Sequence, residues 1–239
     1  MQDIIASAWP ICCYESAVSV TGNSGILMMI KLYHVPASRS MRSLWLLNEL
    51  ALDYELIEMT FDLEHLRSPE YLAVHPLGRV PTLVDDGRII YESGAICQYL
   101  CEKYDDGSLH RAPGHPERVE WLQWLHYAET LAVHSAALLQ QQVFIAPDER
   151  SPAIQQLESR RLGKGIELLD EHLQGCNYLL ASGFSAVDVN VGYSVYLGGG
   201  FISLEPYPNI FKYYQRIRER LAFKKSEPSV DWQLNTKPS

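Results

Sequence analysis

From Met29 the chain falls into regular patterns. Met29-Ile30-Lys31-Leu32-Tyr33 alternates apolar and polar positions with the period of a strand, and a polar turn containing Pro36 follows. Met41 to Ala51 carries Leu44, Trp45, Leu46, Leu47 and Leu50 around nearly its whole circumference, which predicts a buried helix. Tyr54 to Met59 predicts a second strand. Two strands joined through such a helix form a βαβ unit, so they are expected to run parallel with a right-handed crossover. A short helix over Ser68 to Val74 leads into His75-Pro76-Leu77-Gly78-Arg79. Pro81 to Asp85 and Arg88 to Tyr91 then flank Asp86-Gly87, a strong short-range hairpin signal. Ser93 to Tyr104 closes this unit as a helix.

Beyond it the period changes. Asp105 to Pro116 mixes glycine, serine and two prolines and reads as a linker. Val119, Leu122, Leu125, Leu131, Leu138 and Leu139 mark one long amphipathic helix; Ile154, Leu157, Leu162, Ile166, Leu169 and Leu173 mark another. A third helix begins near Ala186 and a last one covers Asn209 to Leu221. The expected fold is α/β followed by all-α: residues 29–105 form the first domain, 106–116 the linker, 117–226 a helical bundle and 227–239 a loose tail. Residues 1–28 show no sustained periodicity and read as an irregular extension, with Met28 or Met29 a candidate translation start.

Composition narrows the class. An apolar fraction of 47% and a charged fraction of 21% are ordinary globular values. A net charge of −9 argues against nucleic acid as the main partner, since neutralising phosphates needs a basic face. No apolar run approaches the ~18 residues that span a bilayer. The 5 cysteines contain no C-x-x-C pair, which suggests neither a disulfide framework nor a dithiol site. Cys97 and Cys101, one helical turn apart, read as small buried apolar side chains, and a reducing, cytoplasmic setting fits.

Several segments carry candidate chemistry. Val80-Pro81, opening a strand after a glycine-containing loop, invites a cis peptide bond. Directly after the fourth strand, Glu92-Ser93-Gly94-Ala95-Ile96 offers Ser93 as a helix N-cap and the helix N-terminus as an anion site. Ser185 and Asp188 have the spacing of a capping box. Gly198-Gly199-Gly200 lacks a following Lys-Ser/Thr and reads as a helix end, not a phosphate cradle.

The order of elements, together with these motifs, resembles the glutathione transferase superfamily from Met29 to about Lys225. The resemblance implies a thioredoxin-like first domain and an all-helical second domain. It implies that the cis bond of Pro81 turns Val80's N–H and C=O towards the cysteinyl backbone of glutathione. Ser93 would then take the γ-glutamyl carboxylate and Glu92 the ammonium. Arg79 stands where many relatives place a lysine against the glycyl carboxylate, and His65 resembles a glycyl-end histidine. His75 departs from the family's usual asparagine before Pro76.

The same resemblance locates the chemistry in His34-Val35-Pro36-Ala37-Ser38-Arg39-Ser40-Met41-Arg42. A thiol of pKa near 8.5 is mostly protonated at neutral pH, and lowering that by two units takes about 2.7 kcal/mol of differential stabilisation. Serine-type relatives place the serine four residues before an arginine of the first helix, which here selects Ser38 before Arg42. Ser40, at the helix start, is a competitor expected to act as a local cap. Tyr33 is a second competitor, one position early in a strand, where one position reverses the side chain. Arg39 is a candidate electrostatic helper and Arg42 a structural residue.

The second-substrate pocket is expected between the Ser38 loop and the first long helix, with His126, Tyr127, Thr130 and His134 as candidates. His126 and His134, eight apart without a further ligand cluster, do not suggest a metal. What the family implies is glutathione as co-substrate, transferred to a small hydrophobic electrophile in detoxification by a homodimer, without metal, nucleic acid or membrane. Peroxide or disulfide reduction or isomerisation at the same site is the alternative activity. A non-catalytic interaction module is the alternative class.

Overall fold

A computed structural model describes residues 29–228. The irregular extension over 1–28, with the candidate start Met28, and residues 229–239 lie outside the described residues.

The first unit runs β1 (Ile30–His34), α1 (Ser40–Glu49), β2 (Tyr54–Glu58), α2 (Leu63–Leu66), α3 (Pro69–Leu72), β3 (Thr82–Asp85), β4 (Arg88–Tyr91) and α4 (Ser93–Tyr104). Its sheet has the order β2-β1-β3-β4. β1 and β2 are parallel with Leu32 opposite Leu56, and β3 is antiparallel to both β1 and β4. The Asp86-Gly87 turn has φ of +49° and +74°, the backbone hand that matches the twist of a hairpin.

The sequence predicts one short helix between β2 and β3; the chain makes two single turns. Asp62 caps the first, accepting from the Glu64 N–H at 2.9 Å, and Ser68 caps the second, accepting from the Tyr71 N–H at 3.2 Å. Pro69 explains the break: it lacks an N–H and restricts Ser68 before it, so a helix restarts there instead of continuing.

The helical part follows as α5 (Arg118–Val143), α6 (Pro152–His172), α7 (Ala186–Gly198), α8 (Pro208–Arg218) and the single turn α9 (Leu221–Lys224). Ser185 and Asp188 form the capping box at the start of α7, where the Asp188 carboxylate accepts from the Ser185 N–H at 2.8 Å. The same carboxylate takes the Leu179 N–H at 3.1 Å and the Tyr213 hydroxyl at 3.2 Å. The glycine run ends α7, with Gly198 its last residue.

One core joins the two parts. Trp45 of α1 is fully buried, edge-on to Phe223 with ring centroids 4.8 Å apart. Burying a side chain of this size stabilises by about 2–3 kcal/mol. Gly192 of α7 lies where a Cβ would come within 3.1 Å of the Trp45 ring, so the helix approaches α1 closely only because that side chain is absent. Cys97 and Cys101 are buried in this core, as their spacing suggests.

Candidate active site

The loop from β1 to α1 is the best-anchored part of the site. Ala37 adopts a left-handed φ of +58°, which reverses the chain and leaves its carbonyl facing α7. The Tyr193 hydroxyl of α7 donates to that carbonyl at 3.0 Å, and the Ser38 N–H donates to Val35 O at 3.2 Å. Ser38 then lines a cavity of about 580 Å³ between the two halves of the chain.

The expected cap is the reverse of the observed one. Arg39 occupies the N-cap position, and it is Ser38 whose hydroxyl accepts the Ser40 N–H at 3.2 Å. The Ser40 side chain turns back instead into the protein, where it accepts the Val35 N–H at 3.1 Å. It also lies 2.7 Å from both the Ser38 hydroxyl and His34 Nδ1. Tyr33 does not line the cavity; its ring packs against Tyr71 with centroids 5.4 Å apart. Burial pushes the His34 imidazole down to about 4, so the ring is neutral at working pH.

The second wall of the site comes from the loop before β3. Gly78 has a φ of +57°, and a Cβ there would lie 2.2 Å from Leu66 O. His75 takes over the turn bonding expected of an asparagine, its Nδ1 accepting the Leu77 N–H at 3.1 Å. Tyr71 donates its hydroxyl to Arg79 O at 2.7 Å. The Val80-Pro81 bond is cis. Among the described residues Val80's own N–H and C=O have no hydrogen-bond partner, and Val80 lines the cavity.

Glu92 and Ser93 stand at the start of α4. Glu92 carries a φ of +73°, a strained region for a side-chain-bearing residue that typically persists at functional sites. Ser93 is the first helical residue, not the cap: Glu92 holds the cap position and no side chain closes it. The Ser93 hydroxyl instead accepts from Arg42 Nη1 at 3.0 Å.

Arg42 is the residue whose surroundings the sequence does not reveal. It is buried, donating to Ser194 Oγ at 2.8 Å and Ala128 O at 3.1 Å, pairing with Glu129 and lying 5.1 Å from the Tyr193 ring centre. Burial pushes the Glu129 carboxyl up, but the guanidinia of Arg42 and Arg39 more than offset it, and the group titrates below its ordinary value.

The cavity's other side is apolar. α5 contributes Ala132, Ala136 and Leu139, with Phe144 just beyond it, and Phe61 lies across from Phe144 at 5.7 Å between ring centroids. Tyr127, Thr130 and His134 are not brought to it. The Tyr127 hydroxyl donates to Gly165 O at 3.0 Å, His134 Nδ1 meets Glu158 of α6 at 2.6 Å, and Thr130 and His126 are exposed. The reason is helix phase: Ala128 and Ser135 face the core and Ala132 and Ala136 the cavity, which turns Tyr127 and His134 to α6. Of the glycyl-end candidates, Arg79 lines the cavity and exposed His65 does not. Arg67, which no motif in the sequence marks, lines it too. Among the described residues neither Arg67 nor Arg79 has an ion-pair partner. No helix of the described residues is long and apolar enough to cross a membrane.

Comparison with known proteins agrees with this fold. Residues 32–108 match the family model for the glutathione S-transferase N-terminal domain. Glutathione S-transferase GstA of Escherichia coli O157:H7 is 30% identical over 80% of this chain and 94% of its own. Glutathione S-transferase 3 of Schizosaccharomyces pombe is 27% identical over 85% of this chain and 88% of its own. Among solved structures, the glutathione transferase URE2P6 from Phanerochaete chrysosporium, in complex with oxidized glutathione, superposes with a TM-score of 0.76. It is 25% identical, covering 83% of this chain and 94% of that one. The thioredoxin-like sheet, the helical bundle behind it and these relatives lead to one conclusion: the chain belongs to the glutathione S-transferase family.

Proposed function

We propose that the enzyme activates the thiol of glutathione at Ser38 and directs it onto small hydrophobic electrophiles. The observation that carries this reading is the shared cavity: Ser38, Val80 with its unpaired main chain, Arg67 and Arg79 all line it. A tripeptide's backbone would pair with Val80, its glycyl carboxylate with the arginines, and its γ-glutamyl end with Glu92 and Ser93. The sulfur would then lie at the Ser38 turn. A hydroxyl donating to a thiolate favours the anion by about 1.5–3 kcal/mol, which is the size of effect required.

The electrophile's half is drawn from composition of the wall. Ala132, Ala136, Leu139, Phe61 and Phe144 offer apolar contact, and the two alanines leave space that larger side chains would fill. Holding both reactants in one cavity supplies a proximity contribution. We further propose a homodimer acting in the reducing cytoplasm. Ile89 and Tyr91, 45% and 44% exposed on the edge strand β4, give an apolar strip consistent with a subunit contact.

Retention on immobilised glutathione, followed by turnover of Ser38→Ala with an aromatic halide, tests the reading. Expected are retention of both proteins and a loss of about 10- to 100-fold in turnover, matching one hydrogen bond to a charged group. Failure to bind glutathione would favour an interaction module; binding with unchanged turnover would remove Ser38 from the chemistry.

A further inference from the structure

We infer that buried His34 and Ser40 form a hydrogen-bond relay that locks the Ser38 hydroxyl as a donor into the cavity, resting on the reading of Ser38 as the thiol-activating residue. A serine hydroxyl is ambivalent: its proton can point to the sulfur or back into the protein, and only the first orientation favours a thiolate. In this loop the choice follows from the His34 tautomer by counting protons and lone pairs.

The count starts at His34. The ring is 4% exposed, and a neutral imidazole carries one N–H. Nδ1 lies 2.7 Å from Ser40 Oγ, whereas among the described residues no hydrogen bond reaches Nε2. A proton on Nδ1 has Ser40 Oγ as its acceptor at 2.7 Å, whereas one on Nε2 has no partner among the described residues, so the relay takes the Nδ1–H tautomer, which donates to Ser40.

Ser40 Oγ thereby accepts twice, from His34 Nδ1–H and from the Val35 N–H at 3.1 Å, and both its lone pairs are used. Its single proton has two acceptors in reach, Ser38 Oγ at 2.7 Å and Val35 O at 3.2 Å, and the shorter contact takes it. Ser38 Oγ in turn accepts twice, from the Ser40 hydroxyl and from the Ser40 N–H at 3.2 Å. With its lone pairs filled, Ser38 has only its proton to offer, and the side of it left open is the cavity. Bonds arranged head to tail also polarise one another, so the last hydroxyl becomes a stronger donor than an isolated serine.

His34 and Ser40 are thus positioning residues that act through Ser38. The arrangement needs both of them. Ser40 alone is free to donate to Val35 O, and His34 cannot reach Ser38 without Ser40 between them.

The test uses the full chain. Nitrogen-15 NMR of the imidazoles, in the absence of glutathione, reads the His34 tautomer; the Nδ1–H form is expected and the Nε2–H form overturns the relay. The ultraviolet absorbance of the bound thiolate, titrated with pH, then reads the ionisation of glutathione's sulfur. His34→Leu and Ser40→Ala are expected to raise that thiol pKa by about half to one unit, a threefold to tenfold loss of thiolate below it. His34→Asn, whose amide places a donor at the Nδ1 position, and Ser40→Thr, which keeps the hydroxyl, are expected to restore it. Glutathione affinity below the thiol pKa stays within about twofold, because the tripeptide's other contacts lie elsewhere. Arg39, which lines the cavity beside Ser38, and Glu129, its ion-pair partner, are unchanged in every variant.

In Ser38→Ala the effects of His34→Leu and Ser40→Ala are expected to vanish. If Ser38→Ala raises the thiol pKa and the other two do not, the relay is wrong and the Ser38 reading stands. If Ser38→Ala leaves ionisation unchanged, both fall. Should His34→Leu not fold, the tautomer and the comparison of Ser40→Ala with Ser40→Thr decide.

Discussion

Arg42 Nη1 and Ser93 Oγ, 51 residues apart in sequence, meet at 3.0 Å and join α1 to the residue proposed to hold the far end of glutathione. Nη1 also pairs with Glu129 and Nη2 donates to Ser194 and Ala128 in the helical part, while Nε has no partner among the described residues. A lysine there offers a point charge with no planar fork and reaches fewer of these partners. Arg42→Lys is expected to lower unfolding free energy by about 2–4 kcal/mol in urea and to weaken glutathione binding. A stability within about 0.5 kcal/mol of the parent, the scatter of surface substitutions, would mean the network contributes little.

The apolar wall gives a second prediction. Ala136→Phe fills the proposed electrophile side of the cavity from α5. KM for a bulky aromatic electrophile should rise by about tenfold or more, an overpacking effect, while KM for glutathione stays near its original value. Equal changes in both constants would place the two ligands elsewhere.

Arg67 and Arg79 supply the third. Each single alanine variant is expected to raise KM for glutathione by about threefold to tenfold, and the effect should shrink in high salt because the pair opens to solvent. The His65→Ala variant is expected to match the parent protein, since His65 is exposed and outside the cavity.

Gly78 yields a backbone prediction. Its φ of +57°, and the 2.2 Å that would separate an added Cβ from Leu66 O, leave no room for alanine. Gly78→Ala should destabilise by about 2 kcal/mol or more and reduce glutathione affinity, because the displaced loop carries Arg79 and Val80. Thermal melting with and without glutathione separates the two effects.

Asp188 sets a pH dependence. Burial pushes its carboxyl up to about 6 in the folded chain, above the ordinary value near 4, against the pull of the Leu179, Ser185 and Tyr213 donors. The folded state therefore holds a proton that the unfolded chain has released. This stabilisation is complete below about pH 4 and is lost as pH rises through 6, on the order of 3 kcal/mol in all. The melting temperature of the parent protein minus that of Asp188→Asn should fall between pH 4 and pH 7. A difference that is flat over this window would show the carboxyl to be unshifted.

The parts of the fold that are legible in sequence are those written in local patterns. Alternation marks β1, Asp86-Gly87 marks the hairpin, and the Ser185 to Asp188 spacing marks the start of α7. Ser38, Arg79 and Val80 can be placed because motif spacing locates main-chain positions. What is not legible depends on helix phase and on contacts across the chain. Tyr127 and His134 belong to the correct helix but face α6, since a 26-residue helix with apolar residues on several sides does not announce which side meets the cavity. Arg67 escapes notice because its relevance comes from how two single-turn helices fold back, not from any local pattern. The capping roles of Ser38 and Ser40 are exchanged for a similar reason: two serines two apart compete for one helix start, and His34 decides between them from six residues away.

The bond from the Tyr193 hydroxyl to the carbonyl of Ala37 has a further consequence. Tyr193 belongs to the half of the chain proposed to shape selectivity, whereas Ala37 precedes the serine proposed to set reactivity. Any substitution that tilts the helix bearing this tyrosine drags the reactive turn along, so a change in which compounds are accepted alters how fast they are processed. Variants selected for a new substrate should therefore show coupled shifts in thiol acidity even when they lie far from the sulfur.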